Sequence, residues 1–206
     1  MEPPSQVGNI GLVILAAGAS KRLGTPKQLL LYEGTSFLQR TVEIAVASLC
    51  QPIIVVLGAY AEQMRPEVEH LSVQIVENLQ WAEGMGTSVQ VGIQTLTSAC
   101  DRLEAVVLVL CDQPFLSVQH INALITAYRE IQQPIIASEY EQILGVPALF
   151  DREIFSELAA LKGNRGAKQV IAKHSSVVFG VPFPEGAIDI DTKQDYEQLL
   201  IAPAIN

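Results

Sequence analysis

Along the chain, short apolar runs alternate with segments whose apolar residues recur every three or four positions. Ile10–Ala16 is a continuous apolar run that stops at Ala17-Gly18, the pattern of a strand buried on both faces. From Ser36 to Ser48, Phe37, Leu38, Val42, Ala45 and Val46 fall at helical spacing. Pro52–Leu57 predicts a second strand that ends at Gly58, and Val73–Val76 a shorter third. Thr87–Leu96 predicts a helix with Val89, Ile93 and Leu96 on one face. Ala105–Leu110 is the strongest strand signal, and Cys111-Asp112-Gln113-Pro114 ends it. Ser117 is placed to cap a helix that runs on to Ile131. Pro134–Ala137, Val146–Phe150 and Val177–Val181 read as further strands, Asp151–Leu161 and Ala167–Lys173 as helices, and a last helix starts near Thr192.

This order predicts a three-layer α/β sandwich with a mostly parallel, Rossmann-like sheet. No Pro/Gly/Ser-rich linker or repeat interrupts it, so residues 10–202 are expected to form one domain after a short disordered lead, 1–9. In such sheets ligands bind at the carboxyl ends of the strands. The loops after Ala16, Leu57 and Leu110 are therefore the places to look for chemistry.

Composition narrows the partners. With 49% hydrophobic and 17% charged residues among 206, the chain has enough apolar surface for a core. No apolar run approaches the roughly 18 residues of a membrane helix, and the N-terminus lacks a signal-peptide pattern. Cys50, Cys100 and Cys111 are scattered, with no zinc-site spacing; such thiols suit a reducing cytoplasm. A formal net charge of −9 disfavours nucleic acid. Phosphate substrates remain open, because a few cations, backbone N–H groups and a metal suffice to hold them.

The first loop carries the clearest chemistry. Leu15, Ala16, Ala17, Gly18, Ala19 and Ser20 are small enough after the strand for the backbone to approach a ligand. Arg22 and Lys27 add charge where a triphosphate would lie. The loop matches neither GxxxxGK[ST] nor GxGxxG; an ordinary strand-to-helix turn with two solvated basic residues is the other reading. Asp112 follows the best buried strand, so its carboxylate is set to face the ligand crevice and hold magnesium; an N-cap for the following helix is the other reading, though Ser117 is better placed for that. In Asp189-Ile190-Asp191-Thr192, alternation puts both carboxylates on one side, unless Asp191 caps the last helix. Asn78–Ser88 offers two glycines and a helix-start hydroxyl for a base and ribose, or is a plain loop in which Trp81 serves packing. His70, His120 and His174 are far apart in sequence, with no nucleophile–histidine pairing evident, which disfavours a covalent mechanism.

LAAGASKRLGTPK, beginning at Leu15, resembles the signature loop of the MobA-like NTP transferase family, roughly LAAGxSxRxGxxK. The resemblance implies a nucleotide-diphospho-sugar transferase-like fold. It also implies a loop wrapped round NTP phosphates, with Arg22 on the leaving pyrophosphate and Lys27 on the reacting phosphate. Asp112-Gln113-Pro114 and Asp189-Ile190-Asp191-Thr192 resemble the metal motifs of the same family. They imply Mg2+ on Asp112 and Asp191, with Asp189 in reserve. The stretch from Asn78 to Ser88 is similar to the base and ribose loop NxxWxxGMxxS, implying contacts from Asn78, Gly84, Met85 and Ser88.

Gly145–Phe150 and Gly163–Lys168 resemble the GxPVLF and GDxGAR blocks of the MocA-like molybdenum cofactor cytidylyltransferases. With Gln113 and Pro114, that implies acceptor contacts from Gly145, Pro147, Arg165, Gly166 and Lys168; a solvated helix face is the other reading of Arg165 and Lys168. Ala148, Asn164 and Lys168 depart from those blocks; the last two remove a negative charge and shorten the reach of a cation. The implied reaction moves CMP from CTP to the phosphate of molybdopterin cofactor, releases pyrophosphate and serves a molybdoenzyme apoprotein. CTP is expected over GTP because Ala17 stands where guanylyltransferases more often have glycine. A transferase for a sugar or polyol phosphate, or a cofactor-binding chaperone without catalysis, are the alternatives.

Overall fold

A computed structural model of the protein describes residues 9–20 and 23–201. Arg22 therefore lies outside the described residues, as do 1–8 and 202–206. In chain order the elements are β1 (Asn9–Ala16), β2 (Leu31–Tyr32), β3 (Thr35–Ser36), α1 (Phe37–Ala47), β4 (Ile53–Leu57), α2 (Ala61–Val68) and β5 (Gln74–Glu77). There follow α3 (Met85–Ala99), β6 (Leu103–Leu110), α4 (Val118–Ile131), β7 (Ile135–Tyr140), β8 (Ile143–Asp151), α5 (Phe155–Ala159), α6 (Ala167–Lys173), β9 (Val178–Pro182) and α7 (Lys193–Ile201). Among the described residues no helix is long and apolar enough to cross a membrane.

Seven strands form one sheet in the order β5-β4-β1-β6-β8-β7-β9. All neighbours run parallel except β8, which is antiparallel to β6 and β7. The apolar runs of β1, β4 and β6 are buried because helices cover both faces. Along β1, Leu12, Ile14 and Ala16 pack with α1, α2 and α4, while Val13 and Leu15 pack with α3, α5 and α6. This is the expected three-layer α/β sandwich. Each fully buried Leu or Val contributes about 1.5–3 kcal/mol of transfer free energy, so β1 and β6 are the rigid centre. α3 lies close over β1: a Cβ at Gly92 would stand 2.5 Å from Val13 Cγ1.

Three local features depart from the sequence pattern. α2 was not expected, although Ala61, Met64 and Val68 are its buried face; Pro66 inside it obscures the pattern. The β2–β3 hairpin was also missed, and its Glu33-Gly34 turn has two positive φ values, 53° and 85°, as two-residue hairpins favour. The Asp151–Leu161 segment is not one helix: Arg152–Ile154 forms a 3-10 turn, capped by the Asp151 carboxylate, before the short α5.

Candidate active site

At the carboxyl ends of β1 and β6 lies a cavity of about 450 Å³, within the usual range for small-molecule sites. Leu15, Ala17, Gly18, Ala19, Ser20 and Lys27 form one wall. Gln28, unremarked in the sequence, organises that wall. It is buried, and its Nε2 donates to Ala16 O at 3.2 Å and Gly18 O at 3.0 Å. Ser20 Oγ donates to Gln28 Oε1 at 3.3 Å and accepts from Lys27 N at 3.0 Å. Two carbonyl oxygens that would repel phosphate are thereby tied back. The signal for Gln28 was a single polar residue opening the run Gln28-Leu29-Leu30-Leu31.

Lys27 leads to the carboxylates. Its Nζ lies 2.5 Å from Asp112 Oδ2 and 3.1 Å from Asp191 Oδ1. Burial pulls the Lys27 pKa down, but the two carboxylates outweigh it and the net direction is up, so the ammonium stays charged. Asp191 is not the helix cap. Thr192 Oγ1 accepts from Asp195 N at 3.2 Å, and Asp195 Oδ2 accepts from Thr192 N at 2.7 Å, a reciprocal capping arrangement. Ile190 N donates to Asp112 O at 3.1 Å, and the Ile190 side chain is buried with Phe37 and Leu199. These contacts fix the late acidic segment beside the end of β6.

The alternation that put Asp189 beside Asp191 is only partly realised. Asp189 borders a second cavity, of about 370 Å³, with Phe115, Ile188 and Leu199, while Asp191 borders the first. Burial, then the charges of Asp112 and Asp191, push the Asp189 carboxyl above its ordinary pKa.

The donor set fits a divalent cation. Two carboxylates close enough to share one ammonium can share one metal ion, and Asp112 Oδ1 is buried without a hydrogen-bond partner among the described residues. One or two carboxylates completed by phosphate oxygens and water is the preference of magnesium.

The opposite wall comes from the loop before α3. Trp81, Gly84, Met85 and Ser88 border the cavity, joined by Asn164. Trp81 also packs against the core, as expected. Asn78 is buried behind them; its Nδ2 donates to Thr87 Oγ1 at 2.8 Å and Ser88 Oγ at 3.0 Å, and its Oδ1 accepts from Gln80 N. It shapes the loop and does not border the cavity. Gly84, with φ +118°, packs against the backbone of Gly163, and Gly86 N donates to Gly163 O at 2.9 Å. A Cβ at Gly166 would stand 2.7 Å from Met85 Sδ. These glycines join two loops and bring Asn164 to the cavity.

The expected acceptor residues lie outside the lining of this cavity. Arg165 and Lys168 are exposed, and neither they nor Gln113, Pro114, Gly145, Pro147 or Gly166 border the cavity. Gln113 is buried and spends its amide on Val146 O at 3.0 Å and Gly186 O at 3.2 Å. Gly145 is covered by the Tyr140 hydroxyl. A histidine–hydroxyl pair does exist, contrary to the sequence expectation: His120 Nε2 lies 2.7 Å from Ser138 Oγ. It is structural. Ser138 is fully buried and donates its proton to Pro147 O at 2.5 Å, so His120 Nε2 must be the donor. Cys111, at the cavity edge, is no nucleophile either; burial and then Asp112 hold its thiol far above the ordinary pKa.

A family model for the MobA-like NTP transferase domain matches residues 12–177. Among curated proteins, the chain is 29% identical to nicotine blue oxidoreductase of Paenarthrobacter nicotinovorans, over 91% of this chain and 95% of that protein. It is 26% identical to a probable molybdenum cofactor guanylyltransferase of Bacillus cytotoxicus, over 91% and 94%. The crystal structure of Rv0371c from Mycobacterium tuberculosis H37Rv superposes with a TM-score of 0.80 at 30% identity, covering 95% of this chain and 99% of that one. A structure of the same protein in complex with manganese gives 0.76 at 28% identity, covering 95% and 100%.

Proposed function

The chain belongs to the MobA-like NTP transferase family, and from that premise we propose that it transfers CMP from CTP to the phosphate of molybdopterin cofactor, with release of pyrophosphate. The observation that carries this reading is Lys27 held between Asp112 and Asp191 at the edge of the glycine loop. An acceptor phosphate oxygen attacks the α-phosphorus in line; a new P–O bond forms, and the bond to the β-phosphate oxygen breaks. Lys27 offsets the charge that moves onto the α-phosphate, and the Ala16–Ser20 loop keeps the triphosphate in place. Arg22 is assigned to the leaving pyrophosphate on the family resemblance alone. Asp112 and Asp191 would hold a divalent cation, which we take to be magnesium. That ion supplies charge neutralisation on the bridging oxygens when bound.

Base choice rests on Ala17. Ala17 borders the cavity but is buried, and its methyl lies against Gly58, where even one added carbon would stand 2.7 Å from Ala17 Cβ. On the family resemblance, Ala17 in place of the glycine more often found in guanylyltransferases favours a pyrimidine, and calorimetry is expected to give tighter binding of Mg-CTP than of Mg-GTP. Likeness to a protein named as a guanylyltransferase supports the acceptor class and makes GTP the competitor to measure. Likeness to a protein named as an oxidoreductase supports a second reading, a redox enzyme on the same frame.

The test is pyrophosphate release with each common NTP, with and without molybdenum cofactor. Release with CTP that requires the cofactor is expected. Release with GTP moves the assignment to guanylyl transfer, and release with a sugar or polyol phosphate changes the acceptor. Cofactor binding without release leaves a chaperone, and NTP-independent redox turnover selects the second reading.

A further inference from the structure

The cation shared by Asp112 and Asp191 is the protein's own lysine. Lys27 Nζ contacts both carboxylates, at 2.5 and 3.1 Å. The root of that side chain is fixed, because Lys27 N donates to Ser20 Oγ and the next residue, Gln28, is buried and bonded to Ala16 O and Gly18 O. Only the four-carbon stem is free to swing. Lys27 borders the same cavity as Gly18, Ala19 and Ser20, so a triphosphate seated there offers the ammonium a second set of anionic partners from the same root. The lysine also leaves work undone: Asp112 Oδ1 is buried and has no partner among the described residues.

We propose that Lys27 is a resident counter-ion that keeps divalent metal off the Asp112–Asp191 pair until nucleotide arrives. Its transfer from the carboxylates to the triphosphate then opens the metal site. This rests on the nucleotidyltransferase reading of the cavity. The physics is competition for one position. Two adjacent carboxylates need a cation between them, and an ammonium and a metal ion repel each other there. A triphosphate draws the ammonium away with its own negative charge and supplies oxygens that complete the metal shell. Metal and nucleotide must then bind with positive coupling, by the same factor in either order.

The test is manganese binding to the full-length protein, followed by the loss of the free-ion electron paramagnetic resonance signal. Without nucleotide, Lys27→Met is expected to bind manganese about tenfold or more tightly than wild type, within the span of ordinary coupling between sites. Lys27→Arg, which keeps the charge, is expected to stay as weak as wild type. Manganese should also tighten binding of α,β-methylene CTP to wild type by more than it does for Lys27→Met. Lys27→Gln replaces Lys27→Met if the latter fails to fold. Equal or weaker manganese binding by the neutral variant overturns the proposal, as does equal coupling in both proteins. If that result comes with pyrophosphate release by wild type, only this inference falls. If no form binds manganese with or without the analogue, the metal-dependent reading falls with it.

Discussion

On the β1 side of Asp112, polar groups border an open cavity: Ser20, Lys27, Ser88, Asp112 and Asp191, with Gln28 bracing the loop. On the β8 side, most polar groups are spent on one another: Gln113 Nε2 on two backbone carbonyls, His120 on Ser138, Ser138 on Pro147 O, and Tyr140 on Val146 O, with Gln113 Oε1 alone of these lacking a partner among the described residues. The first side displays charge for a ligand to complete. The second uses hydrogen bonds to hold an antiparallel hairpin against a parallel sheet, where an unpaired buried group would cost stability. Polarity alone thus does not mark a site; polarity next to open volume does.

Substitutions on the two sides should separate catalysis from architecture. The largest effect is expected from Asp112→Asn, which keeps the shape and removes the charge. Pyrophosphate release should fall by roughly a hundredfold or more while the melting temperature changes little. A rate close to wild type at saturating magnesium would erase the distinction.

Gln28→Leu and Ser138→Ala form the sharper pair. Each strips partners from buried groups and should cost about 1–3 kcal/mol in denaturant unfolding. Only Gln28→Leu should also weaken NTP binding, because only it releases the phosphate loop. Equal nucleotide affinity in the two variants would mean that Gln28 is frame and nothing more.

A smaller effect concerns His120, which is stacked on Phe183 with ring centroids 4.1 Å apart. Burial, partly opposed by Glu185, pushes its pKa down to about 4. The unfolded chain takes up a proton near the ordinary histidine value that the folded chain refuses. Stability should therefore be level above neutrality and decline as pH falls from the ordinary value toward about 4. A melting series in which His120→Gln shows the same decline would assign it to other groups.

The smallest effect is at Asp189, whose carboxyl is held above its ordinary pKa. At neutral pH and without metal, Asp189→Asn should raise the melting temperature slightly, because it removes a charge that burial and two carboxylates disfavour. The gain should vanish below the ordinary aspartate range, where both proteins are neutral at that position. A gain that persists in acid would point to packing as its cause.

The sequence made the nucleotide side legible for a physical reason. The proposed cradle is local: its small residues and Asp112 follow buried strands directly, and the periodicity of those strands fixes where the loops emerge. In the fold, Lys27 lies in contact with both Asp112 and Asp191. Gln28 escaped because its role is to be buried, which its polarity hides. The hairpin side was less legible because its contacts are long-range. His120 and Ser138 belong to α4 and β7, and no pattern within either element reveals the pair. Gly145 and Pro147 stood out as a block, and only the fold shows Gly145 under the Tyr140 hydroxyl and Pro147 O accepting from Ser138. The Gly84 and Gly163 loops had separate motifs, and only the fold shows that they interlock.

The central claim is that the centre built by Lys27, Asp112 and Asp191 moves a nucleoside monophosphate. The most direct measurement follows the label of α-phosphorus-labelled CTP in the presence of molybdenum cofactor, for wild type and Asp112→Asn. Label should appear on the acceptor together with unlabelled pyrophosphate with wild type, and not with the variant. Label that stays in CTP while the folded wild-type protein binds both substrates, or that transfers equally well with Asp112→Asn, would contradict the account.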